Sequence, residues 1–79
     1  MKVIIYSKDN CPNCLKVKKK LNKYNPKILI LEKDISRDDF LKKFPNVKQV
    51  PQVIIDNKYI GGYTDVEKWL AFNKPEGDF

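Results

Sequence analysis

The sequence predicts an α/β fold in which a four-stranded mixed sheet is flanked by three helices, and three observations predict it. First, short apolar runs rich in β-branched residues alternate with segments whose apolar residues recur every three or four positions. Second, the first two runs are joined by such a helical segment, which is typical of a parallel right-handed crossover. Third, the last two runs are separated by only two residues, which is typical of an antiparallel hairpin. A chain of 79 residues has room for one domain of this kind.

The first half of the chain supplies the parallel pair of strands. Residues 3–6 are a continuous β-branched and aromatic run, as expected for a central strand buried on both faces. Pro12 suits the first position of a helix, where its missing amide hydrogen costs nothing. The helical pattern continues to about Lys23, and Asn25-Pro26 ends it. The apolar run at residues 27–31 then predicts a second buried strand.

The second half supplies a short helix and the hairpin. Ser36, followed three residues later by the carboxylate of Asp39, predicts a capped start for a second helix. Residues 52–55 and 58–60 are apolar runs joined by Asp56-Asn57, a dipeptide that favours a tight turn. Antiparallel strands are therefore expected beside the parallel pair.

The last predicted helix follows a pair of glycines, Gly61-Gly62, that ends the final strand. Thr64, with Glu67 three residues later, predicts a capping box at the start of this helix, whose apolar face is expected to cover the sheet. Residues 1–72 are therefore predicted to form the domain. Residues 73–79, which contain helix breakers and charges, are predicted to be a short C-terminal tail.

Composition and charge weigh against several classes of function. No apolar run approaches the roughly 20 residues that span a membrane, so a cytoplasmic protein is expected. The formal net charge is +6, but the lysines of the first helix form one solvated face without interleaved aromatic residues for base stacking. Nucleic-acid binding is therefore not expected. The positive charge is instead expected to favour acidic protein surfaces and small anionic peptides.

Both cysteines of the chain lie in Cys11-Pro12-Asn13-Cys14, at the predicted start of the first helix. One helical turn separates them, so a disulfide can form and open. Cys11 precedes the helix, where free backbone N–H groups stabilise a thiolate, and the nearby Lys8 adds a cation. Cys11 is therefore the expected nucleophile, and the inward-facing Cys14 is the expected resolving thiol.

Two other interpretations of the cysteine pair stay open. A disulfide in a reducing compartment is seldom a permanent staple, so the pair is expected to be catalytic or metal-binding. A zinc site would need further ligands from another chain or an external thiol, because this chain contains no histidine. Inert packing of two buried cysteines is the remaining interpretation.

Four segments of the chain resemble the glutaredoxins, and the resemblance extends to about Leu70. They are Ile5-Tyr6-Ser7-Lys8 leading into Cys11-Pro12-Asn13-Cys14, with Lys18 after it; Gln49-Val50-Pro51-Gln52-Val53; Gly61-Gly62; and Thr64-Asp65. The resemblance implies a thioredoxin-like fold with the order strand, helix, strand, helix, strand, strand, helix. That order agrees with the elements predicted above. The resemblance also implies thiol–disulfide oxidoreductase activity through the cysteine pair.

The resemblance further implies a glutathione site. In glutaredoxins this site combines a lysine before the cysteines, the residue before a cis-proline and an acidic turn after the glycine pair. Here the corresponding residues are Lys8, Val50, Thr64 and Asp65. The proline itself, Pro51, and Asn13, which precedes the second cysteine, are included in the expected site. The cis-proline lets the backbone of Val50 pair with a substrate peptide like an added strand. Lys8 is expected to meet one glutathione carboxylate, and the start of the last helix with Asp65 the γ-glutamyl end.

The implied function is glutathione-dependent reduction of protein disulfides and glutathione mixed disulfides by a monomer without a tightly bound cofactor or metal. Glutathione is the expected reducing co-substrate, and ribonucleotide reductase is one candidate protein acceptor. Two alternatives stay open. One is a thioredoxin-like electron donor reduced by a flavoprotein reductase. The other is an iron–sulfur cluster carrier in which two chains each supply Cys11 and two glutathione molecules complete the ligands.

Overall fold

The computed structural model describes residues 1–47 and 49–72, which form a mixed sheet with helices on both faces. Along the chain the elements are β1 (Val3–Ser7), α1 (Pro12–Leu21), a 3-10 turn (Asn22–Tyr24), β2 (Lys27–Ile30), α2 (Arg37–Lys43), β3 (Gln52–Ile55), β4 (Lys58–Gly61) and α3 (Tyr63–Phe72). The strand order is β2-β1-β3-β4. β1 is parallel to β2 and antiparallel to β3, and β3 is antiparallel to β4. The predicted fold class is confirmed, and the predicted tail at residues 73–79 lies outside the described residues.

β1 is the strand on which both layers of the core are built. Its side chains alternate between the two faces of the sheet. Ile5 is fully buried among residues of α1 and α3, and Tyr6 is 4% exposed and packs against Phe40 and Phe44 at α2. The first layer consists of Val3, Ile5, Val17, Leu21, Val53, Ile55 and Val66. The prediction that β1 is buried on both faces is confirmed.

β2 is an edge strand, so the prediction that it is buried like β1 is wrong. It pairs with β1 on one side, and its burial is only partial, with Lys27 exposed and Ile28 at 36% exposure. An unbroken apolar run is the pattern of a strand covered on both faces, but the pattern contains no information on where the strand lies in the sheet. β2 also ends at Ile30, one residue earlier than predicted.

The predicted hairpin and the predicted start of α2 are confirmed. Asp56 and Asn57 have φ values of 49° and 67°. This is the left-handed conformation that a two-residue hairpin turn requires to match the right-handed twist of its strands. At α2, the Ser36 hydroxyl accepts a hydrogen bond from the Asp39 N–H at 3.1 Å. Within residues 1–47 and 49–72, no helix is both long and apolar enough to cross a membrane.

The start of α3 differs from the prediction. The helix begins at Tyr63, and the carboxylate of Asp65 accepts a hydrogen bond from the Gly62 N–H at 3.2 Å. Asp65 therefore occupies the third helical position and reaches back to the residue before the helix, as the acidic member of a capping box does. The predicted pair of Thr64 and Glu67 is wrong by two residues. The capping-box pattern looks for Ser or Thr before the helix, but a glycine, which is also accepted there, precedes α3, and its carboxylate partner has the same spacing of three.

Candidate functional site

The site is organised around a disulfide between Cys11 and Cys14, whose Cα atoms are 5.2 Å apart. Cys11 is the N-cap of α1, and its sulfur accepts a hydrogen bond from the Cys14 N–H at 3.2 Å. Pro12 fills the first helical position, where no amide hydrogen is needed. The Cys11 sulfur thus takes the place of the oxygen that usually caps a helix, at the end where backbone N–H groups favour negative charge.

The two sulfurs have different access to solvent. Cys11 is 8% exposed, whereas Cys14 is fully buried on the face of α1 that also carries Val17 and Leu21. A large disulfide substrate can therefore reach Cys11 from outside, but it cannot reach Cys14. The asymmetry agrees with the expected roles of nucleophile and resolving thiol.

The backbone of Val50 lies against the nucleophile. The Val50–Pro51 peptide bond is cis, as the sequence resemblance implies, and Pro51 is buried. The Val50 carbonyl oxygen lies 3.8 Å from the Cys11 sulfur. This is a van der Waals contact, because a sulfur in a disulfide carries no hydrogen to donate. A peptide bound along Val50 would consequently lie next to the Cys11 sulfur.

Two surface grooves meet at Val50. The first has a volume of about 310 Å³ and contains five of the predicted binding residues, Asn13, Val50, Pro51, Thr64 and Asp65. The second has a volume of about 460 Å³ and contains the sixth, Lys8, again together with Val50. The structure therefore places every predicted site residue either in the cysteine pair or along one continuous path across Val50.

The two grooves differ in charge. Lys8 and Arg37 line the second groove, whereas Asp65 and the N-terminus of α3 line the first. Arg37 also makes an exposed ion pair with Glu32 at 3.7 Å, which is too weak a contact to neutralise it. One end of the path thus suits a carboxylate, and the other suits a group that carries both a carboxylate and an amine.

Several residues of the grooves were not predicted from the sequence as site residues, among them Arg37, Gln49 and Tyr59. Arg37 directly follows the cap of α2, and nothing in the pattern of a short helix indicates which end faces the cysteines. Gln49 stands one residue from Val50 and could have been included on that ground. Tyr59 lies on β4 and enters the site only because β4 pairs with β3.

Tyr59 is the titratable group of the site with a shifted ionisation. Burial raises the pKa of its hydroxyl, and the negative charge of Asp65 raises that pKa further. The hydroxyl is protonated at neutral pH, as it would be at its ordinary pKa of 10.0, and can donate a hydrogen bond. It donates to the side-chain oxygen of Gln52.

Known proteins are similar to this chain in sequence. A sequence model of the family described as Glutaredoxin matches residues 3–60. Glutaredoxin 1 of Rickettsia prowazekii is 36% identical over 70 residues, which cover 81% of this chain and 72% of the relative.

Solved structures agree with the sequence match. Reduced Escherichia coli glutaredoxin superposes with a TM-score of 0.74 at 29% identity, covering 92% of this chain and 96% of the other. A buckwheat glutaredoxin–glutathione complex superposes with a TM-score of 0.66 at 27% identity, covering 89% of this chain and 68% of the other. The fold, the cysteine pair and the sequence therefore point to one family.

Proposed function

The chain belongs to the glutaredoxin family, whose members are thiol–disulfide oxidoreductases, and we propose that glutathione is its electron donor. Its substrates are protein disulfides and glutathione mixed disulfides. The observation that carries the proposal is the position of Val50, with its carbonyl oxygen 3.8 Å from the Cys11 sulfur and a groove on either side. An extended peptide bound along Val50 presents its own sulfur to Cys11.

Reduction of a protein disulfide proceeds by two exchanges. The Cys11 thiolate attacks one substrate sulfur, and the other leaves as a thiolate that takes up a proton. Cys14, after losing its proton, attacks the Cys11 sulfur, which releases the second substrate thiol and forms the Cys11–Cys14 disulfide. Two electrons have then passed from the cysteine pair to the substrate. The disulfide seen in the structure is the product of this half-reaction.

Glutathione returns the two electrons. One glutathione thiolate attacks the Cys11 sulfur and releases the Cys14 thiol, and a second attacks the resulting mixed disulfide. Oxidised glutathione leaves, and Cys11 is again a thiolate. With a glutathione mixed disulfide as substrate, Cys11 accepts the glutathionyl group directly, so Cys14 is not required.

The charges of the grooves support an orientation for the tripeptide. Its glycine carboxylate lies toward Lys8 and Arg37, and its γ-glutamyl group lies toward Thr64 and Asp65. Asp65 accepts from the γ-glutamyl amine, while N–H groups at the start of α3 meet the carboxylate. The buckwheat relative, which was solved with glutathione bound, supports glutathione as the ligand proposed for this chain.

A coupled assay with glutathione, glutathione reductase and NADPH tests the proposal. Wild type is expected to turn over a glutathionylated peptide and a protein disulfide, and Cys11→Ser neither. Cys14→Ser is the matched control, because it removes the same group one helical turn away. It is expected to retain activity on the glutathionylated peptide and to lose activity on the protein disulfide. Reduction of the wild type by thioredoxin reductase and not by glutathione would overturn the assigned donor.

A further inference from the structure

The peptide unit between Gln49 and Val50 is held by the side chain of Gln52, the first residue of β3. The Gln52 Nε2 donates a hydrogen bond to the Gln49 carbonyl oxygen at 3.0 Å. Gln52 is 6% exposed and the hydrogen bond is partly buried, which reduces competition from water. A carbonyl oxygen accepts only from a donor, which fixes the amide nitrogen of Gln52 on that side and its Oε1 on the other.

Tyr59 holds the other end of the same amide. Its hydroxyl donates to the Gln52 Oε1, and its ring packs against Phe44 with the centroids 5.3 Å apart. Both polar atoms of the Gln52 side chain are therefore used, one by a tyrosine on β4 and one by the backbone that leads into Val50. The chain of contacts runs from Tyr59 through Gln52 to the Gln49 carbonyl.

The direction of the Gln49 carbonyl sets the direction of the Val50 N–H. The two groups belong to one trans peptide unit, in which C=O and N–H point to opposite sides. The Val50 N–H is therefore directed away from Gln52. It has no hydrogen-bond partner among residues 1–47 and 49–72.

A substrate strand needs that N–H. In an antiparallel pair, one residue exchanges both of its backbone hydrogen bonds with the residue opposite. Val50 offers an N–H whose peptide plane is fixed and a carbonyl next to the Cys11 sulfur. We propose that Tyr59 and Gln52 are positioning residues that hold the Val50 N–H for pairing with the cysteine-bearing strand of the substrate. This inference rests on the proposed binding of a substrate peptide along Val50.

Tyr59→Phe tests the inference, because it keeps the ring on Phe44 and removes only the hydroxyl. The Gln52 amide then loses one of its two restraints. We expect the KM for a glutathionylated peptide to rise about 5-fold, the equivalent of one hydrogen bond of about 1 kcal/mol. The kcat is expected to stay within about twofold of wild type, because the pairing is made equally in the ground state and the transition state. Tyr24→Phe is the control, because it removes a hydroxyl from the 3-10 turn that follows α1. Its KM and kcat should equal those of wild type.

Two further measurements separate positioning from general damage to the site. Alkylation of Cys11 by iodoacetamide needs no strand pairing, so Tyr59→Phe should react at the wild-type rate. A double-mutant cycle with Gln52→Leu should be non-additive, since Tyr59 acts through Gln52, and the double variant should bind no worse than Gln52→Leu alone. If Gln52→Leu does not fold, the combination of KM, kcat and alkylation rate for Tyr59→Phe still decides the question.

The outcomes distinguish this inference from the proposed function. A wild type without glutathione-dependent turnover refutes the proposed function before any variant is compared. A glutathione-dependent wild type with an unchanged KM in Tyr59→Phe overturns the positioning role alone. A parallel loss of alkylation rate in Tyr59→Phe also overturns it, because the substitution would then have disturbed Cys11 itself.

Discussion

The backbone N–H of Cys14 points at the sulfur of Cys11 across 3.2 Å, so one active cysteine caps the helix that carries the other. The same Cys11 sulfur touches the Val50 carbonyl oxygen on its other side. The helix start therefore holds the nucleophile in a fixed position against the backbone that is proposed to bind the substrate. Cys14 lies within α1 and is fully buried. Its sulfur therefore approaches Cys11 from the protein interior and leaves the side of Cys11 that faces Val50 to the substrate.

The first prediction concerns which cysteine reacts with a small electrophile. In the reduced protein, iodoacetamide should alkylate Cys11 at least about tenfold faster than Cys14, because Cys11 retains 8% exposure next to the helix N-terminus and Cys14 is fully buried. Peptide mass spectrometry after partial alkylation measures the ratio. Cys11→Ser provides the control, since its single remaining cysteine should label slowly until the protein is unfolded in urea. Equal labelling of the two cysteines would contradict the assigned roles.

The second prediction concerns the glycine pair before α3. Gly61 has φ +126°, a conformation that residues with side chains rarely adopt, and an added Cβ would lie 2.9 Å from the Asp65 Cβ. Gly61→Ala should therefore lower the free energy of unfolding by about 2 kcal/mol. Gly62→Ala is the matched comparison, because among the described residues its Cβ would meet only the Pro51 carbonyl oxygen at 3.4 Å. We expect Gly62→Ala to lower the free energy of unfolding by less than about 1 kcal/mol, as measured by urea titration. Equal effects of the two substitutions would argue against the special role of Gly61.

The order and type of the elements follow from the sequence, but positions within the sheet and helix starts follow less reliably. The β-branched run of β1 and the Asp56-Asn57 turn are local signals, and both are confirmed. β2 carries the same kind of run and lies at the edge. Its place depends on which strand it pairs with, and this is a property of the whole chain. The start of α3 depends on whether the carboxylate of Asp65 or of Glu67 accepts a hydrogen bond from the backbone N–H three residues earlier. A spacing of three residues is available to both carboxylates.

The site divides in a similar way. Cys11, Cys14 and Lys8 adjoin the first helix start, and a short sequence pattern is enough to find them. Arg37 and Tyr59 come from a helix and a strand whose approach to Val50 is set by tertiary packing. Neither residue has a sequence neighbour with obvious chemistry. Local patterns therefore identify the cysteine pair more completely than the residues that line the grooves proposed to bind the substrate.

The third prediction concerns the cationic groove. Lys8→Met and Arg37→Met should each raise the KM for glutathione about 3- to 5-fold at low salt, because each removes a proposed partner for the glycine carboxylate. The effect should shrink near about 1 M salt, where screening acts within about 3 Å. Lys23→Met changes the net charge equally, but Lys23 lies over the ring of Tyr24, away from both grooves. A similar KM in all three variants would indicate general attraction by charge and would contradict a specific site.

The fourth prediction compares two serines with opposite effects on stability. The Ser7 side chain is fully buried, and its hydroxyl has no hydrogen-bond partner within residues 1–47 and 49–72. Ser7→Ala should raise the free energy of unfolding by about 1 kcal/mol, because an unsatisfied buried hydroxyl is removed. Ser36→Ala should lower it by about 1 kcal/mol, because the Asp39 N–H at the start of α2 loses its cap. Urea titration of the oxidised protein measures both. A destabilised Ser7→Ala variant would show that the hydroxyl is hydrogen-bonded in solution.

The fifth prediction concerns alkaline pH. Burial and the charge of Asp65 raise the pKa of Tyr59 above its ordinary value of 10.0. The unfolded state therefore loses this proton first as the pH rises past 10.0, and the contribution of Tyr59 to stability falls through the window up to its folded pKa.

Asp65→Asn should lower the pKa of Tyr59 toward the ordinary value without reaching it, because burial is the larger cause and remains. Tyrosinate absorbance, with Tyr59→Phe subtracted, follows the titration. Glu67→Gln neutralises a neighbouring carboxylate of α3 that contacts the Tyr63 hydroxyl instead, so it should leave the Tyr59 titration in place. A Tyr59 titration unchanged by Asp65→Asn, or shifted equally by Glu67→Gln, would mean that Asp65 does not face Tyr59 across the groove in solution.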